Sequence, residues 1–358
     1  MKLLREFENE MLVCTMCGFC RPVCPTLEKR GWESYAPRGL VNIGYGLLKG
    51  KLRPSKALVD SAYSCTTCGR CVVKCPPGIK VRDIALAVRS TLFQSSATPA
   101  SIRSLLTKLA KTGNIYGKEN KRTPEKDSDL IFFPGCNIKH KHPEIITSSL
   151  RLLNEVGTQA GLWNGTDCCG APFMLAGALD QFQALARENF EKIKSSRTIF
   201  SCPIGFQTVK VSYPTLLKGR APDTSHITEI LSSRIESLHF EETRETVTYH
   251  DPCYLARMMK VTEPPRKLLN SIPGIRFVEM ADARENTRCC GSGAGITETY
   301  SKELSREMAA ERIKQAHQVN ADRIVTSCPY CLDQLSAVSN GLPVDDITVF
   351  LASRLRPS

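Results

Sequence analysis

The sequence has 358 residues, 42% of them apolar, and a formal net charge of +12. That length accommodates two or three domains with cores of their own. No run approaches the about 18 apolar residues of a spanning helix, and the charged start MKLLREFENEM lacks the apolar stretch of a signal peptide, so a cytoplasmic chain is expected.

The charge is unevenly placed. Residues 1–126 carry 22 Lys+Arg against 9 Asp+Glu, and residues 127–358 carry 26 against 27. A basic first third suits an acidic protein partner, an anionic lipid surface or plain solvation. No nucleic-acid partner is expected, because no binding motif accompanies the charge. The 17 cysteines are an odd number, which excludes complete intramolecular pairing. In a reducing compartment they read as metal ligands or redox groups.

In chain order, residues 1–95 come first. They contain CTMCGFCRPVCP (Cys14–Pro25) and CTTCGRCVVKCP (Cys65–Pro76), both spaced C-x2-C-x2-C-x3-C-P. In such runs three thiolates wrap one cubane cluster and the fourth crosses to the other. Cys14, Cys17, Cys20 and Cys75 are therefore assigned to one 4Fe-4S cluster, and Cys65, Cys68, Cys71 and Cys24 to a second. Gly18 and Gly69 let backbone N–H groups approach the sulfurs, while Pro25 and Pro76 turn the chain away. Zinc sites seldom use four cysteines so tightly spaced twice over. The 40 residues between Cys24 and Cys65 leave room for helices near Arg38–Lys49 and Ser55–Tyr63, so a helical ferredoxin domain is expected.

Residues 96–128 are rich in Ser, Thr, Lys, Pro and Gly and read as a linker. Within it, Ile102, Leu105, Leu106 and Leu109 fall at helical spacing. This helix either packs on the neighbouring domain or lies on a membrane surface.

The remainder is an internal repeat, with a first module at 129–240 and a second at 241–358. DLIFFPGC (Asp129–Cys136) matches TVTYHDPC (Thr246–Cys253). Each is followed by a helical stretch, then by CCG, at Cys168–Gly170 and Cys289–Gly291. Helices at Asp180–Ser195 and Thr297–His317 come next, then a short strand entering SCPIG (Ser201–Gly205) or SCPYC (Ser327–Cys331). Alternating strands and helices predict an α/β fold with parallel sheets, whose strand ends gather the sites. Cys136, Cys202, Cys253 and Cys328 all follow predicted strands.

The first module thus supplies Cys136, Cys168, Cys169 and Cys202, a set suited to zinc or a 4Fe-4S cluster. The second supplies Cys253, Cys289, Cys290, Cys328 and Cys331. Five thiolates exceed the needs of one cubane or one zinc, pointing to an unusual cluster with extra thiolate bridging or to a spare ligand. In the first module Gly205 stands where the fifth would be. GSGAG (Gly291–Gly295) offers backbone N–H groups to sulfide. It is not a dinucleotide fingerprint. His250 is expected to orient its loop, and His140 and His142 in KHKHP to be solvated.

The two ferredoxin runs, KTGNIYG (Lys111–Gly117), HITEIL (His226–Leu231), EPPRKLL (Glu263–Leu269) and RCCGSGAG (Arg288–Gly295) resemble the D-type heterodisulfide reductase family, in which ferredoxin and CCG parts are fused. GWESYAPRG (Gly31–Gly39) is similar to a segment of the iron–sulfur subunits of glycolate oxidase and anaerobic glycerol-3-phosphate dehydrogenase. The resemblance implies that Cys253, Cys289, Cys290, Cys328 and Cys331 hold a noncubane 4Fe-4S cluster. It also implies that an incomplete first module can carry zinc instead.

Two functions follow as expectations. One is an electron-transfer subunit between a flavoprotein dehydrogenase, acting on a hydroxy acid or similar substrate, and a quinone or membrane cytochrome. That chain would sit peripherally on the inner face of the membrane. The other is a disulfide reductase whose catalytic site is the five-cysteine cluster.

Overall fold

The computed structural model describes residues 3–119 and 129–356. Helices fill the first third, and two four-stranded parallel sheets with helices packed on them form the rest. No helix among the described residues is long and apolar enough to cross a membrane.

In the first third, the expected helices lie at Pro37–Leu48 and Lys56–Ser64, with Ser55 accepting from the Leu58 N–H as N-cap. They pack with Val81–Gln94, whose apolar face includes Ile84, Val88 and Leu92. Arg89 on this helix is 1% exposed. It donates to the carbonyls of Ala62 (3.0 Å) and Leu175 (2.8 Å), tying the helical part to the first repeat. A guanidinium this deep is tolerated because main-chain carbonyls replace its water.

The predicted linker contains an ordered helix, Ala100–Thr112, closed by Gly113 in the left-handed region. Its apolar residues Ile102, Leu105, Leu106 and Leu109 are buried in the core shared with the helical part and the repeats. That face is occupied internally and does not meet a membrane surface. Residues 120–128 of the expected linker lie outside the described residues.

The first sheet has order β2-β1-β3-β4, from Gly161–Leu162 (β2), Leu130–Phe133 (β1), Arg197–Phe200 (β3) and Thr224–His226 (β4). The second repeats it as β6-β5-β7-β8, from Ile275–Val278 (β6), Glu245–His250 (β5), Arg323–Thr326 (β7) and Val344–Asp346 (β8). β1, Leu-Ile-Phe-Phe, reads as a continuous apolar run, as a strand of a sheet covered on both faces does. Phe132 and Ile199 of the first sheet share a core with Val247, Tyr249 and Val325 of the second.

The repeats pair reciprocally. The first module's Pro143–Glu155 packs on the second's Ile347–Ala352, and its Ile227–Ser233 on Glu263–Asn270. At the strand ends, Pro203–Gln207 meets the π-helical turn Tyr254–Met258, and Pro329–Ser336 meets Cys136–Lys141. This approximate two-fold relation sets the two strand-end regions side by side.

One predicted helix is broken. In place of a continuous Thr297–His317 there are Ile296–Tyr300 and Lys302–Gln318. Ser301 between them is extended, and its side chain caps the second helix by accepting from the Leu304 N–H. A serine mid-pattern competes for backbone donors, and here it restarts the helix.

Candidate functional site

Four cavities in this fold are lined by cysteines. Cys14, Cys17, Cys20 and Cys75 surround the first, with Arg38 beside them. Cys24, Cys65, Cys68 and Cys71 surround the second. The two runs share a backbone device: Met16 and Thr67, at the same motif position, both take positive φ (56° and 51°). Such turns aim successive N–H groups inward at an anionic centre.

Cys136, Cys168, Cys169 and Cys202 line the third cavity, with Gly205 in its wall. Cys253, Cys289, Cys290, Cys328 and Cys331 line the fourth. The CCG glycine has a definite task in both repeats. Gly170 (φ 79°) and Gly291 (φ 90°) occupy the left-handed region, and each N–H donates to the first cysteine of its pair, Cys168 or Cys289, at 3.3 Å. A Cβ at Gly291 would stand 2.2 Å from the Ser305 carbonyl oxygen, so no side chain fits there.

The cavities adjoin one another. Cys20 of the first lies within electrostatic reach of Cys71 of the second. Cys68 of the second and Cys289 of the fourth each shift the other's acidity, so these cavities adjoin. The fourth and third share the walls Ile204, Ala294 and Tyr330, and Cys328 acts on Cys202 across them. The order is therefore ferredoxin-run cavity, second ferredoxin-run cavity, five-cysteine cavity, four-cysteine cavity.

Thiol acidity separates the members of each CCG pair. The Cys290 thiol is held well below its ordinary value, first by Cys289, then by Cys331 and by His250, against its burial. Cys169 is likewise lowered, chiefly by its hydrogen bond with Cys168. Cys289 and Cys168 are pushed up by bonds to Cys253 and Cys136 respectively and by burial. In the second cavity burial pushes Cys24 up to about 12.

His250 joins this group. Its ring and the sulfurs of Cys290 and Cys331 lie within 4.8 Å of one another. Arg312 Nε donates to His250 Nδ1 at 3.1 Å, so the ring hydrogen sits on Nε2, the nitrogen left to face Cys290. The Cys290–Cys331 sulfur separation is 3.2 Å. In front of Cys253, Asp251 forms a two-pronged ion pair with Arg266 (2.8 and 2.9 Å), which also holds Glu279. This fixes the loop that carries Cys253.

Sequence reading missed the buried arginines. Arg70 pairs with Asp282, Arg257 donates to the Thr287 carbonyl, and Arg312 donates to that of Asp282 (2.7 Å). Arg257 is 5% exposed and leaves Nε and Nη1 without a partner among the described residues, while its charge acts on Cys68. Nothing local in the sequence marks them, since the groups they bond come from segments distant in the chain. The KHKHP histidines are also not solvated as expected. His140 Nε2 bonds Asp167 (2.8 Å) and His142 Nε2 bonds Asp333 (3.0 Å), whose carboxylate also accepts from Asn137 (2.9 Å). Asp333 belongs to the second repeat, so the motif locks the modules together.

The donor sets suit iron–sulfur chemistry. Each cavity offers four or five thiols and no carboxylate ligand, with backbone N–H groups and unpartnered arginine nitrogens nearby to meet negative charge. A helical part with two such cavities, followed by two parallel-sheet repeats each with one, defines an iron–sulfur redox protein. Comparison with known proteins agrees. The 4Fe-4S dicluster domain matches residues 10–79, and the cysteine-rich CCG domain matches residues 130–203 and 247–336. The chain is 32% identical to the D-type chain of the dihydromethanophenazine:CoB–CoM heterodisulfide reductase of Methanosarcina barkeri, over 97% of this chain and 94% of that one. It is 27% identical to a probable glycolate oxidase iron–sulfur subunit of Bacillus subtilis, over 92% and 89%. A hypothetical protein from Helicobacter pylori shares the fold alone, with a TM-score of 0.62 at 9% identity over 99% of this chain and 72% of that one. The chain belongs to the D-type heterodisulfide reductase family, and it is an iron–sulfur oxidoreductase subunit.

Proposed function

We propose that this chain is the electron-transfer subunit of a heterodisulfide reductase-like complex. It passes electrons between a flavoprotein dehydrogenase and a quinone or membrane cytochrome. In this reading Cys14, Cys17, Cys20 and Cys75 hold one cubane 4Fe-4S cluster, and Cys65, Cys68, Cys71 and Cys24 a second. Cys253, Cys289, Cys290, Cys328 and Cys331 hold a noncubane cluster, and Cys136, Cys168, Cys169 and Cys202 hold zinc. Bound clusters supply one-electron storage at each site.

The residues do the rest. His250 and the Gly291 N–H donate to cysteine sulfur and so stabilise thiolate. Buried Arg257, Arg70 and Arg312 offset added negative charge. The observation that carries the reading is Gly205. It leaves the first repeat one thiol short of the second, so the two are chemically unequal partners.

A second reading, a disulfide reductase, draws on the shared walls Ile204, Ala294 and Tyr330 and on the low thiol of Cys290. Breaking one disulfide takes two electrons and two protons and yields two thiols. The purified chain, given a reduced viologen and a disulfide, tests both. The electron-transfer reading expects viologen to reduce the clusters without disulfide turnover. Rapid turnover that Cys331→Ser abolishes, while the ferredoxin-type clusters survive, establishes the reductase instead.

A further inference from the structure

Of the 17 cysteines, Cys17 alone is exposed. Four of the seven exposed large hydrophobic side chains among the described residues belong to the segments around it: Leu12, Val13, Phe19 and Trp32. Leu12 and Val13 end the helix Glu8–Val13 that leads into Cys14. Phe19 is 64% exposed and lines the same cavity as Cys17. Trp32, 74% exposed, is held to this face by its neighbour Glu33, which pairs with Arg21 at 2.9 Å. Hydrophobic groups clustered on an otherwise polar surface mark an interaction site.

A basic groove runs alongside. It is lined by Lys80, Arg82, Arg257 and Lys260, with Asp83 paired to Arg82 and Glu285 to Lys260, and with Val72 and the exposed Val73 in its wall. Lys80 joins groove to patch, because its N–H donates to Glu10 (2.7 Å) on the helix that carries Leu12 and Val13. An apolar centre with a cationic flank complements a partner with an apolar centre and an acidic flank. The patch surrounds the one exposed cysteine, at the outer end of the row of four cavities. A lipid surface has no use for that placement, whereas a redox protein does. The amphipathic helix Ala100–Thr112, the other candidate for lipid contact, already has its apolar face buried.

We propose that the face formed by Leu12, Val13, Phe19 and Trp32 around Cys17, with the Lys80–Lys260 groove beside it, is the docking surface for an acidic redox protein that exchanges electrons with this chain. The proposal rests on the electron-transfer reading above.

The test is anaerobic stopped-flow reduction of the full chain. A reduced acidic 2Fe-2S ferredoxin serves as protein donor and methyl viologen radical as small donor. Leu12→Asp, Trp32→Asp and Lys80→Glu change the surface without removing a cysteine. Each should slow reduction by ferredoxin about tenfold, the loss expected when one buried contact or steering charge goes. The wild-type ferredoxin rate should also fall as salt rises. Viologen rates and iron content should stay at wild-type values. Equal ferredoxin rates in wild type and variants overturn the docking surface and leave the relay intact. Failure of viologen to reduce the wild-type clusters overturns the relay, and the docking surface with it. Co-sedimentation with phosphatidylcholine–phosphatidylserine vesicles that the variants lose, while their ferredoxin rates hold, assigns the patch to lipid and overturns the proposal.

Discussion

Gly205→Cys rebuilds SCPIG as a copy of SCPYC and asks whether one missing thiol decides what the first repeat holds. Gly205 lies in the helix Pro203–Gln207, which a cysteine also adopts. A Cβ there would meet Phe200 Cδ1 at 3.2 Å and Cys169 Cβ at 4.0 Å. Its sulfur then stands beside Cys169, as Cys331 stands beside Cys290 at 3.2 Å. Removing a helical glycine gains about 0.5–1 kcal/mol. Crowding the Phe200 ring costs about 1–3 kcal/mol. The variant should therefore be less stable by about 0–2.5 kcal/mol and still fold. After anaerobic purification its iron should rise from about 12 to about 16 atoms per chain while zinc falls from about one to none. Should the single variant misfold, Gly205→Cys with Phe200→Leu relieves the contact. A folded variant whose iron and zinc match wild type refutes the claim that the fifth thiol sets the site.

Three further outcomes are expected. Arg266→Met strands Asp251 as a buried charge and should lower stability in urea by about 3–5 kcal/mol; a loss under about 1 kcal/mol contradicts the role given to that pair. His226 is fully buried, and burial lowers its pKa to about 3, so the unfolded chain binds the proton more readily. Its contribution is complete above about pH 6.5 and falls by about 1.4 kcal/mol per unit as pH drops toward the folded value. His226→Gln should flatten the stability slope between about pH 5 and 6.5, and parallel slopes argue against it. Arg257→Met should lower the midpoint potential of the cluster bound by Cys68, by roughly 50–100 mV, and leave the Cys14–Cys75 cluster unmoved. Redox titration followed by electron paramagnetic resonance reads both, and a shift in the wrong cluster or none contradicts the charge argument.

Much of the fold could be read in the chain because its signals are local. Cysteine spacing, the strand-to-cysteine pattern and the duplicated order of CCG and SCP all lie within short stretches. The parallel sheets followed from their alternation with helices. What the sequence did not disclose depends on contacts between distant segments. Arg89, Arg257 and Arg312 look like surface charges until main-chain carbonyls from elsewhere enclose them. His142 looks solvated until Asp333, nearly two hundred residues on, reaches it. The adjacency of the third and fourth cavities comes from reciprocal packing of the repeats, which no single repeat encodes. Ser301 broke a helix that apolar spacing alone would have continued.

The central claim is that the two CCG repeats are unequal. Iron, acid-labile sulfide and zinc per chain, measured on strictly anaerobic wild-type protein, test it most directly. Three clusters and one tetrahedral thiolate site give about 12 iron, about 12 sulfide and about one zinc. About 16 iron with no zinc would contradict the claim, making the repeats equal partners and moving disulfide cleavage between them to the front.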